Sequence, residues 1–116
     1  MEEIIGLLFY ARNVTHREHL KTKSYAPHIA LGSFDHDVIE LADKLAEAYQ
    51  GCEGIMKDIP YYDKAYNGSI DDFLEKQMDM IEKLRKGASE RSAIQNIIDE
   101  IIGLYLSTLY KLRNLS

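Results

Sequence analysis

Four histidines and a run of carboxylates fall within HREHLKTKSYAPHIALGSFDHDVIELADKLAEAYQG, residues 16–51. Imidazole nitrogen and carboxylate oxygen together form a donor set that suits iron, manganese or zinc. His16 and His19 lie three residues apart, so on a helix they share one face a turn apart. Asp43 and Glu47 lie four apart and are neighbours for the same reason. His28 stands between the two pairs, and Asp35 offers a further acid. The competing reading is plain: single acids and histidines on helices mostly face water. Other reactive residue types are poorly placed. Cys52 has no sequence sign of an activating base, and the serines lack the context of a nucleophile elbow. There is no phosphate loop, dinucleotide fingerprint or zinc-finger spacing.

Four helices must position these side chains, and no strand is expected. The first spans about residues 2–23, with Ile4, Ile5, Leu8, Ala11 and Val14 or Thr15 at helical spacing. Lys and Arg gather in its last turns, where the helix dipole favours cations. Pro27 biases Ala26 away from helical angles and suits the first turn of a second helix, about 27–50, with Gly51 as its expected stop. With His28 as origin and about 100° per residue, Leu31, Phe34, Val38, Leu41, Ala42, Leu45, Ala48 and Tyr49 form the core arc. His28, His36, Asp43 and Glu47 fall beside that arc, so a buried di-iron site within one chain is not supported. Asp43 and Glu47 could hold metal only where another chain covers their face.

The third and fourth helices span about 70–86 and 89–113, divided at Gly87. The fourth carries Ile94, Ile97, Ile98, Ile101, Leu104, Tyr105, Thr108 and Leu112 on its main stripe. Ile102, Leu106, Leu109 and Tyr110 widen it beyond one bundle face, which points to a second chain. Between the halves, GCEGIMKDIPYYDKAYNGS is long and punctuated by Gly, Pro and Asn-Gly. It can run the length of a bundle, so the expected fold is all-α: one domain, a ferritin-like four-helix bundle with a long crossover between helices 2 and 3. An up-down bundle is the alternative. Tyr61, Tyr62 and Tyr66 in the crossover either cap the bundle end or line a pocket.

A chain of 116 residues is long enough for a core without staples, and one cysteine excludes an internal disulfide and fits a reducing cytoplasm. No apolar run reaches a membrane span, and the acidic start is unlike a signal peptide. With 14 basic and 19 acidic residues, net charge −5, duplex DNA is not an expected partner. Local cations at Arg12, Arg17, Lys21 and Lys23 still suit a small anion.

The pattern His-x-x-His-Leu-x-Thr-x-Ser, a further His, then Asp-x-x-x-Glu and Tyr-Gln-Gly resembles small phage-encoded proteins similar to the starvation-induced DNA-protection ferritins, the Dps family. The resemblance covers the first two helices. It implies ferroxidase metals between subunits, with histidines from one chain and an Asp and Glu four apart from another. Here those would be His16 or His19, with His28, facing Asp43 and Glu47 of a second copy. The intervals are twelve from His16 to His28, fifteen from His28 to Asp43 and four from Asp43 to Glu47. By flanking residues His19 matches the first family ligand more closely, and the assignment stays open. Three departures stand out. Gly32 occupies the family's acidic position, with Asp35 one turn on as a substitute; the basic DNA-binding tail is absent; and the crossover lacks room for a small helix.

Two functions follow. One is a Dps-like oligomer, dimer or larger, that binds iron, or else zinc or manganese, at an inter-subunit site and acts as a ferroxidase. The other is a non-enzymatic phage anti-defence protein without metal chemistry. It would sequester a nucleotide signal through Arg12, Arg17, Lys21, Lys23, Tyr61 and Tyr62, or bind a host protein across the oligomer interface.

Overall fold

Two acids at the positive end of helix α1 (Glu2–Lys21) and Lys21 at its negative end match the helix dipole. In the computed structural model, which describes residues 1–116, α1 buries Ile4, Ile5, Leu7, Leu8, Ala11 and Thr15. Thr22, with extended backbone, ends it, and α2 (Tyr25–Glu53) begins after Ser24. Pro27 falls in the first turn of α2, where a missing amide hydrogen costs no helical bond. The expected stop at Gly51 does not occur. Glycine is tolerated inside a helix at about 1 kcal/mol relative to alanine, and α2 continues to Glu53. It ends where Gly54 adopts φ 90°, a backbone that favours glycine.

Helix α3 (Ile70–Leu84) opens with Asp71 and Asp72 in its first turn and passes into a short 3-10 turn at Arg85–Gly87. Helix α4 is Ser92–Asn114 and starts later than the expected residue 89. The reason lies in the link: the Gln95 side-chain Nε2 donates to the carbonyls of Arg85 and Ser89, and the Ser89 hydroxyl accepts from the Arg91 backbone amide. Those bonds satisfy the link outside a helical ladder. All regular structure is helical, and no helix is long and apolar enough to cross a membrane.

The short links close α1–α2 and α3–α4 as two helical hairpins. Helix α1 packs on α2 and α3, α4 packs on α2 and α3, and α2 and α3 do not pack as neighbours. The crossover therefore joins two elements set diagonally in a four-helix bundle. The core arc foreseen on α2 is present: Leu31, Phe34, Val38, Ala42 and Leu45 are buried, with Leu41, Ala48 and Tyr49 packed against them. Helix α4 meets it with Ile94, Ile98, Ile101 and Tyr105, whose ring stands edge-on to Phe34 at 5.0 Å. Leu109 joins this core, whereas Leu106 and Tyr110 stay exposed. Outside the core, Arg85 bonds the Gln95 carbonyl, Glu82 and Asp99, and Arg113 bonds Asp71 and Glu75, tying α3 to α4.

Candidate metal-binding site

A helix leaves its last four carbonyls without partners of its own. At the end of α1 the Glu18 carbonyl accepts from Thr22, and the His19 carbonyl accepts from a side chain instead, His28 Nδ1 at 2.8 Å. The exchange is reciprocal, because His19 Nδ1 lies 2.6 Å from the His28 carbonyl. A carbonyl oxygen can only accept, so both Nδ1 atoms carry the hydrogen. The two imidazoles stack at 3.9 Å with 20° between their planes. His16 extends the row at 5.9 Å and 22° from His19.

His16 is anchored in the same manner, with Nδ1 2.9 Å from Asp35 Oδ2. The His16 side chain is 40% exposed and that of Asp35 only 11%. The three rings thus form a ladder across the turn end of the α1–α2 hairpin, each held through Nδ1 by an oxygen. That leaves each Nε2 uncommitted. Oxygen behind one ring nitrogen and an open lone pair on the other is how metal-ligating histidines are oriented.

The structure gives Gly32 a reason. A Cβ there would lie 2.8 Å from His19 Cε1 and 3.0 Å from its Nδ1. The His19 ring fills the space that a side chain at 32 would need, so no acid can stand there while the ladder is formed. Asp35, three residues on, is buried and pairs with His16. Both His16 and His19 belong to the row with His28.

Asp43 and Glu47 are exposed on α2. Fifteen residues beyond His28, Asp43 stands about 22 Å further along the helix axis, so within one chain neither acid meets the ladder. His36, Asp37 and Glu40 do bring three donor atoms within 4.8 Å of one another, with His36 Nε2 3.2 Å from Glu40 Oε1. Their i, i+4 spacing is readable in the sequence, but this cluster lies on the surface of a single helix. Of the residues expected to hold an anion, Arg12, Tyr61 and Tyr62 line one cleft, while Arg17, Lys21 and Lys23 are exposed outside it. Phe9, Tyr10 and Lys57 line it too, and no spacing pattern ties them together in the sequence.

Fold and site together define a four-helix protein with an imidazole ladder at the tip of its first hairpin. The chain belongs to a family of unknown function (DUF5856), which matches residues 19–112 and so takes in His19, His28 and Asp35. It is similar to a protein of Enterobacteria phage T4 described as an uncharacterized 14.6 kDa protein in the mobD-ri intergenic region. The two are 30% identical over 119 residues, covering 96% of this chain and 86% of the phage protein. The phage side of the resemblance read from residues 16–51 is supported by that relative. No solved structure matches the chain.

Proposed function

We propose that the protein is a ferritin-like, Dps-like oligomer that binds a transition metal between subunits through His16, His19 and His28. The observation that carries this reading is the common anchoring of the three rings: every Nδ1 is held by oxygen, and every Nε2 is left open. The donor set fits iron, zinc or manganese in chemistry. It does not fit a complete mononuclear site in one chain. Nearly parallel rings direct their lone pairs side by side rather than toward one point, and no three donor atoms of the ladder and Asp35 gather within 4.8 Å.

Asp43 and Glu47 of a second copy would supply the missing oxygens. Leu20, Tyr25 and Ile29, next to the ladder in sequence, are 69%, 78% and 47% exposed and give a second chain apolar surface to cover. When bound, iron would be the substrate of a ferroxidase, whereas zinc would serve as a structural ion. The test is metal content and melting temperature of protein purified without chelator. Metal binding to the folded state raises Tm by mass action, and His28→Ala is expected to lose both the metal and that increment. An unchanged metal content in His28→Ala would sink the proposal. Oxidation of added Fe(II) in air then separates ferroxidase from structural binding.

A further inference from the structure

Residues 55–69 form no helix or strand, yet the first part of this crossover is held in place. The Lys57 amide donates to Glu2 Oε2 at 2.9 Å, and the Met56 amide to Gln50 Oε1 at 3.0 Å. The Tyr10 hydroxyl donates to the Lys64 carbonyl at 2.9 Å. Between these ties the backbone lies on α1 at Gly6, where a Cβ would meet the Pro60 carbonyl oxygen at 2.8 Å and Tyr62 Cε2 at 3.1 Å. The strap is therefore pinned at both ends and pressed flat at its centre. Beside it a cleft of ≈ 1050 Å³ opens between α1, α2 and the strap. That is the scale of a small-molecule site, and a fixed wall spares a ligand the cost of ordering it.

The lining has a definite chemical character. Tyr10 and Tyr62 lie 5.9 Å apart, and Tyr61 beside them is 97% exposed. Arg12 and Lys57 face one acid, Asp58, so the cleft is net positive in a chain of net charge −5. Arg12 is the telling residue. The chain has two half-buried arginines, Arg12 and Arg85. Arg85 is held by Glu82, Asp99 and the Gln95 carbonyl, whereas Arg12 reaches only the neighbouring Asn13 Oδ1 at 3.1 Å. Lys57 likewise has no acid within ion-pair distance. A guanidinium in a cleft lined by tyrosines is suited to a phosphate carried on a flat ring.

We propose that this cleft binds a nucleoside monophosphate, the phosphate held by Arg12 and the base stacked on Tyr61 and Tyr62. The cleft shares no lining residue with the imidazole ladder, and the proposal does not depend on metal. The test is titration of the full chain with AMP, adenosine and inorganic phosphate in the presence of EDTA, followed by backbone amide NMR. AMP is expected to shift Gly6, Tyr10 and the amides of 57–62 except Pro60, and to bind more tightly than adenosine or phosphate alone. Arg12→Gln is expected to weaken AMP by at least about tenfold. Tyr61→Ala, at a position exposed enough to leave folding alone, should weaken it at least about fivefold. Adenosine binding as tightly as AMP, no shifts at these amides at millimolar AMP, or full affinity in both Arg12→Gln and Tyr61→Ala would each overturn the proposal.

Discussion

A methyl group on residue 32 would stand 2.8 Å from His19 Cε1, closer than non-bonded carbons tolerate, and the adjoining Nδ1 of that ring is fixed by a hydrogen bond. His19 cannot yield by rotating a free tip, because its Nδ1 donates to the His28 carbonyl while His28 returns the bond. Gly32→Ala is therefore expected to push the ring out, break the reciprocal pair and destabilise the fold by about 1–3 kcal/mol. Urea unfolding measures the loss, and long-range ¹H–¹⁵N spectra of the histidine rings report whether His19 still carries its proton on Nδ1. A variant as stable as the parent with an unchanged His19 signal would disprove this packing. The histidines themselves were legible in the sequence, since helical spacing alone puts His16 and His19 on one face. The meaning of Gly32 was not. It depends on a ring from another helix, and the position that looks like a missing acid is the space that admits the His19 ring.

At the level of elements, the core stripes of α1, α2 and α4 follow from periodicity because burial at three-to-four spacing is a local property of a helix. Boundaries were less legible. Helix α2 passes Gly51 because a glycine ends a helix only where the chain needs its backbone freedom, and here that is Gly54. The crossover was the least readable element, since its order comes from partners far off in the chain: Tyr10 for Lys64, and Glu2 for Lys57. The latter bond has a pH signature. The Lys57 amide holds the Glu2 carboxyl below its ordinary value of 4.5. A carboxyl whose folded value is depressed contributes fully above its ordinary value and loses that contribution as pH falls through the lower, folded one. The Lys57 amide resonance should therefore titrate with a midpoint under 4.5, and Glu2→Gln should remove the transition. A midpoint at or above 4.5 would mean that the strap is not tied at this point.

For the whole molecule, loop lengths carried the topology: two short links make hairpins, and the long crossover lets α2 and α3 stand diagonally, as they do. In the proposed metal site, the question for the assembly is how a second copy would complete the ladder. Distance makes that question sharp, because Asp43 lies about 22 Å along α2 from His28 and cannot reach it without leaving the helix. If His16, His19 and His28 of one subunit face Asp43 and Glu47 of another, the two halves of the site can be separated onto different chains. A His28→Ala chain and an Asp43→Asn, Glu47→Gln chain should each be metal-free as homo-oligomers. Unfolded together and refolded as an equal mixture, they should recover metal. In a twofold dimer, mixed pairs make up about half of the population and each restores one of its two sites, so about a quarter of the parent's metal content is expected. Metal analysis after size-exclusion chromatography reads the result. Recovery near that fraction would be hard to obtain from any site confined to one subunit. No recovery from verified mixed oligomers would overturn a site shared between subunits.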